Sequence, residues 1–259
     1  MSLPKAALRR FATLALLALV CLTLRPNELR YHPAFVSKRM LSLPKRVFWA
    51  WDRSEDLRSI DPQTTAIAFL DQTILIGPEI VSQPRQHSYA YPTCAIRIAV
   101  VRIEVKPGTR LDQTQERQTV ESLLQSAQQP GISAFQLDFD ATHSQHDFYR
   151  HILRQLRSQM PPELPLSITA LASWCSYDDW ISSLPIDEAV PMMFRMEPDR
   201  RRLSPDRPEL QIREPLCQSS VGISTRESWP DDLSGKRIYI FPDRGWQNDL
   251  PLLAERNLP

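Results

Sequence analysis

Residues 135–141 read Phe-Gln-Leu-Asp-Phe-Asp-Ala, and two carboxylates spaced two apart are a pattern that can do chemistry. On a strand, side chains alternate between faces, so Phe135, Leu137 and Phe139 share one side and Gln136, Asp138 and Asp140 the other. Like charges at that spacing raise the pKa of one acid, which is what a general acid working near neutral pH needs. The alternative is structural: the acids pair with an arginine such as Arg102 or Arg195, or cap the helix that follows. A metal reading draws on Asp138, Asp140, His143 and His146, which fall within nine residues. Their D-x-D-x-x-H-x-x-H order matches no ligand spacing with a mechanical basis, so neither metal nor cofactor is expected.

Other polar and aromatic residues stand at the ends of strand-like segments. Trp51 and Asp52 follow the first, Arg102 and Glu104 close the third, and Trp174 follows the fifth. Arg195 ends the sixth, and Asp243-Arg244-Gly245-Trp246 follows the last. Indole faces stack on sugar rings, and paired carboxylates divide acid from base or nucleophile roles. The expected site is therefore Asp138 and Asp140 as catalytic residues. Trp51, Asp52, Arg102, Glu104, Trp174, Arg195 and Trp246 are expected to hold a polysaccharide or oligosaccharide.

The elements that must position these residues alternate along the chain. The sequence predicts strands at Val47–Trp51, Thr65–Leu70, Arg97–Val105, Ala134–Phe139, Leu166–Leu171, Ala189–Phe194, Cys217–Ile223 and Arg237–Phe241. Helical spacing predicts helices over Leu111–Gln129, His146–Met160 and Tyr177–Leu184. Ser144-x-x-Asp147 and Ser176-x-x-Asp179 read as capping-box variants before the last two. Thr73–Ile76 reads as a hairpin partner of Ala66–Leu70, and the basic stretch Asp199–Pro215 as a solvated loop. Eight strands with helical crossovers imply an α/β fold, a (β/α)₈ TIM-type barrel, irregular in its first and last thirds. In such a barrel the polar side of 135–141 points inward and climbs towards the C-terminal mouth, where barrel sites are built.

Composition narrows the function. The chain has 259 residues, 42% of them hydrophobic, and a formal net charge of +1. That charge gives no electrostatic case for a nucleic-acid partner. Only six glycines are present, too few and too scattered for a phosphate-cradling loop, which excludes the usual NAD and ATP folds. Lys5, Arg9 and Arg10 precede an uncharged run from Phe11 to Leu24. Fourteen helical residues reach ~21 Å against a hydrocarbon core of ~30 Å, which favours a signal segment over a membrane anchor. The expected organisation is a signal peptide or membrane anchor over 1–26, a linker over 27–44 and one barrel domain over 45–259. The barrel would then be exported or periplasmic, or attached to the inner membrane through its N-terminal segment. Outside the leader the cysteines are Cys94, Cys175 and Cys217. Either one disulfide or none suits that reading.

The motifs FWAWDRSEDL (48–57), VVRIE (100–104), QLDFDA (136–141), LSITALASWCSYDDW (166–180), LPIDEAVPMMFRM (184–196), SVGIS (220–224) and IYIFPDRGW (238–246) together resemble the bacterial family of domain of unknown function 3142. A more distant similarity is to chitinase-type barrel glycosidases, whose fourth strand carries D-G-x-D-x-D-x-E. With Asp140 in the place of the terminal Glu, Asp138 matches the preceding Asp and Gln136 replaces the first acid. With Asp138 and Asp140 on the two inner aspartates, Thr142 replaces the Glu. Met193-Phe194-Arg195 is similar to that group's sixth-strand Met-Tyr-Asp, with Arg for Asp. The function these readings imply is a carbohydrate-active, glycoside hydrolase-like barrel. The alternative is a non-catalytic polysaccharide-binding or structural envelope protein.

Overall fold

The structure, a computed structural model, describes residues 36–195, 211–254 and 256. Its eleven strands are β1 (Arg46–Ala50), β2 (Glu55–Asp56), β3 (Thr65–Ile76), β4 (Ile80–Pro84), β5 (Tyr89–Ala90), β6 (Arg97–Val105), β7 (Ala134–Asp138), β8 (Leu166–Leu171), β9 (Glu188–Met192), β10 (Ser220–Ser224) and β11 (Arg237–Phe241). Four helices accompany them: α1 (Gln113–Ala127), α2 (His146–Gln159), α3 (Ala172–Ser176) and α4 (Trp246–Ala254). The main sheet runs β1-β11-β10-β9-β8-β7-β6-β3, and β1 also pairs with β3. All those pairings are parallel, so eight strands close into a barrel.

Alternation sorts the side chains into two cores. Val47, Trp49, Ala66, Ala68, Ile98, Val100, Ala134, Val190, Tyr239 and Phe241 fill the interior, where small residues on β3 leave room for indole and phenol rings. The opposite parity, including Phe48, Ile67, Val101, Phe135, Leu137, Ile168, Val221 and Ile240, packs against the helices. Phe135, Leu137 and Phe139 therefore lie beneath the helical layer, as their parity predicts. Gln136 and Asp138 face inward.

The crossovers depart from the sequence reading in four places. Thr73–Ile76 does not turn back on Ala66–Leu70. It continues β3, whose register against β6 shifts between Leu70 and Gln72, and its antiparallel partner is β4. The β3–β6 connection thus carries no helix, and the stacked rings of Phe69, Tyr89 and Tyr91 cover that wall. After β8 the chain turns helical at once, over Ala172–Ser176, and Tyr177–Leu184 forms turns in place of the expected helix. The capping box before α2 is Thr142 with Gln145, whose Oε1 accepts from Thr142 N at 2.8 Å; Ser144 and Asp147 do not form one. Cys217 closes a 3-10 turn, so β10 starts at Ser220. Most of the basic stretch 199–215 lies outside the described residues.

The N-terminal end of the barrel is plugged. Met40 and Leu43, beside a 3-10 turn over Lys38–Met40, join the interior cluster. Beneath them Arg237 donates to Glu188 at 2.6 Å and to the Met40 carbonyl at 2.6 Å, and Tyr239 donates to Glu188 at 2.9 Å. Burial pushes the Glu188 carboxyl up, against the pull of Arg237. A buried charge pair of this kind is tolerated because its remaining lone pairs and protons are used. With the lower end filled, the mouth at the C-terminal ends of the strands is the open end. No described helix is long and apolar enough to cross a membrane.

Candidate functional site

A cleft of about 550 Å³ opens at that mouth. Every barrel strand except β3 contributes to it, through Trp51 and Arg53 after β1, Arg102 on β6, Asp138 and Asp140, Leu171 on β8, Met192, Phe194 and Arg195, Ser224 on β10, and Phe241, Pro242 and Asp243. Trp51 and Phe194 both pack against Phe241, at 6.3 and 4.9 Å between ring centroids, forming an aromatic wall.

Asp138 ends β7 and is 4% exposed. Its Oδ1 accepts from Thr169 at 2.7 Å and its Oδ2 from Arg102 at 2.6 Å. Arg102 also donates to Glu104 at 2.8 Å and lies 3.9 Å from Asp140. Although burial works against its charge, Asp138, Glu104 and Asp140 hold the Arg102 guanidinium above its ordinary value. Asp140 lies beyond the end of β7, so it leaves the ladder and stands at the rim with 61% of its side chain exposed. Its carboxyl is raised, by desolvation first and by the Asp138 charge next, against the opposing charge of Arg102. Water reaches most of this side chain, which tempers the desolvation, so the like charge of Asp138 is the cause we rest on. Behind the pair, the fully buried Tyr149 hydroxyl is raised well above its usual value by burial and by both carboxylates.

The cleft brings together Asp138, Asp140, Trp51, Arg102 and Arg195 of the residues expected at the site. Four others stand elsewhere. Trp246 is fully buried, stacked on Phe48 at 4.2 Å with its Nε1 donating to the Trp49 carbonyl. Trp174 is buried against Trp180. Asp52 turns towards the β4–β5 connection, where Gln86 N, His87 N and the His87 ring meet its Oδ1; although burial works against it, those bonds lower its pKa. Glu104 is half exposed beside Arg102 but outside the cleft lining. His146 stacks on Trp180 at 4.1 Å, away from the two aspartates.

Residues that the sequence reading left out of the site are Arg53, Phe194, Phe241 and Asp243, with Leu171, Met192, Ser224 and Pro242. Phe241 had a usable signal, since it shares the inward parity of Tyr239 at the end of β11. Asp243 is held by its backbone: its N–H donates to the buried Asp249 at 2.8 Å, as the Arg244 N–H does at 3.1 Å. Asp249 also accepts from Thr225 at 2.7 Å and Arg226 at 2.9 Å, tying the exits of β10 and β11 together. Arg195 has a left-handed backbone, φ 53°, with its N–H held by Glu227 at 3.0 Å and its guanidinium 3.7 Å from Asp243.

No curated protein matches this chain. Among solved structures, the spore cortex-lytic enzyme SleL of Bacillus cereus is similar at 14% identity and a TM-score of 0.44, over 70% of this chain and 51% of SleL. The chain thus spans about half the length of that protein. Residues 93–201 match the family described as a domain of unknown function (DUF3142), so the resemblance read from the strand motifs holds from β6 through β9.

Proposed function

We propose that the barrel mouth binds a saccharide and that the protein is an exported, glycoside hydrolase-like enzyme. One arrangement carries the reading: an open cleft in which Asp138 and Asp140 face the wall made by Trp51, Phe194 and Phe241. Aromatic faces take the apolar side of a sugar ring, and arginines and carboxylates take its hydroxyls. Asp140 is the general acid. It is the accessible member of the pair, and its raised pKa keeps a larger protonated fraction for delivery to a leaving oxygen. Asp138 is the fixed charge that supports this shift, clamped between Thr169 and Arg102.

That clamp also favours a second reading. Both oxygens of Asp138 are engaged, which suits a mouth that holds polysaccharide without cleaving it. Screening oligosaccharides and polysaccharides for binding by calorimetry, and for release of reducing ends, separates the two. Turnover by the full chain, lost in Asp140→Asn, supports the enzyme. Binding without turnover supports the second reading, and no binding to any glycan sinks both.

Export rests on the charged start with its short apolar run, and on a Cys175–Cys217 disulfide that an oxidising compartment would preserve. Fractionation of the native protein tests it: a reduced, cytoplasmic pool of full-length chain would count against export.

A further inference from the structure

We propose that Asp243 is the second catalytic carboxylate, the general base of a hydrolysis that inverts the anomeric centre. The inference rests on the glycoside hydrolase-like reading above. Such hydrolysis needs two carboxyls on opposite faces of the sugar, about 5–5.5 Å apart when the second is a nucleophile and about 6.5–9.5 Å apart when it activates a water. Asp138 is the obvious partner by sequence, but it stands on the same wall as Asp140, two residues away on β7. It is almost fully buried, and its oxygens are taken by Thr169 and Arg102.

Asp243 has the placement that Asp138 lacks. Going round the closed barrel, β11 reaches β7 through β10, β9 and β8 in one direction and through β1, β3 and β6 in the other. The two strands are diametrically opposed, so Asp140 and Asp243 line the cleft from facing walls. The Asp243 side chain is 40% exposed, and among described residues its nearest cation, Arg195, is at 3.7 Å, too far for a hydrogen bond. Its loop is nonetheless fixed, by Asp249 at the backbone and by Arg53, whose Nη2 donates to the Pro242 carbonyl at 2.9 Å. An open carboxylate on a held loop suits a base.

In the step, Asp140 gives its proton to the glycosidic oxygen as the bond from that oxygen to the anomeric carbon breaks. A water on the Asp243 side forms the new carbon–oxygen bond, and Asp243 takes the water's proton. Solvent then reprotonates Asp140 and deprotonates Asp243. The product carries the opposite anomeric configuration.

The test uses the full chain with a panel of alkyl and dinitrophenyl glycosides of both anomeric configurations. Proton NMR of the fresh product should show inversion. Asp243→Asn should lose ~10²–10⁴-fold in kcat on both classes. Asp140→Asn should lose a similar factor on alkyl glycosides and far less on dinitrophenyl glycosides, whose leaving group needs no proton. Azide, which needs no base, should restore Asp243→Asn and give a glycosyl azide of inverted configuration. That rescue also shows that the variant is folded. Retention, or an Asp243→Asn enzyme within about threefold of the parent, overturns the assignment while leaving a glycosidase that depends on Asp140. A parent that turns over nothing in the panel overturns this assignment and the enzyme reading together.

Discussion

At the scale of single residues, Asp138 and Asp140 show how two identical side chains are given different tasks by position. Asp138 ends its strand and is paired on both oxygens; Asp140, two residues on, has left the ladder and meets water. Replacing Asp138 by Ala strands the Arg102 guanidinium beside a lost partner, and should cost about 1–3 kcal/mol in denaturant melts. Asp140→Asn should behave in the opposite way, with stability equal or higher at neutral pH. The sign follows from its raised pKa: folding favours protonated Asp140, so its contribution is fully present below the unfolded value and is lost as pH rises through the folded one. The advantage of Asp140→Asn should therefore appear near neutrality and vanish below the ordinary aspartate pKa of 3.8. Thermal melts of both proteins from acidic to neutral pH measure this, and a gap that grows on acidification would contradict it. The inward parity of Asp138 was legible in the sequence because strand alternation is local. The fates of Trp174 and Trp246 were not, because an indole after a strand can bury under a helix or face the cleft, and only the packing around Phe48 and Trp180 decides.

At the scale of elements, the barrel strands were legible because each is a short apolar run with two-residue alternation or nearly continuous burial, bounded by turn residues. Two elements misled the reading, for physical reasons. The polar pair Asp71-Gln72 looks like a strand end, yet Gln72 is buried and donates to Ser126 on α1 at 2.7 Å, so β3 runs on past its shifted register. The apolar spacing of Trp180, Ile181 and Leu184 looks helical, yet turns bury the same residues. β10 makes a sharper point about how elements shape the cleft. Gly222 faces inward, and a Cβ there would meet Met192 Sδ at 2.9 Å and Phe241 Cε2 at 3.2 Å. Both neighbours line the cleft, so the missing side chain is what lets them settle. Gly222→Ala should push them into the mouth, costing ~1–3 kcal/mol and weakening saccharide binding more than stability alone explains. Calorimetric binding at a temperature where the variant is fully folded checks it, and unchanged affinity would show that the site does not depend on this contact.

At the scale of the whole molecule, the barrel is filled below, open above and cross-linked on one side. The charge network of Arg237 and Glu188 fixes the plug, while backbone bonds to Asp249 hold the rim. The cross-link joins Cys175 in α3 to Cys217 before β10, residues 42 apart that enclose β9. Arg213 N and Glu214 N also donate to the Cys175 carbonyl, at 2.8 and 3.0 Å, so the two segments are held together without the sulfur bond. Its contribution then lies mainly in the unfolded chain, whose entropy a loop of that length lowers by the equivalent of ~3–4 kcal/mol. The Cys175→Ser, Cys217→Ser double variant should accordingly fold to the same structure, with an unchanged near-UV spectrum and unaltered saccharide binding. Its denaturant midpoint should fall by that amount divided by the m-value. Reductant should shift the parent to the same midpoint and leave the double variant where it is. Cys94 is exposed and free, and its labelling should be equal in both proteins. A parent whose midpoint ignores reductant would mean that the bond does not form, and export would lose its structural support.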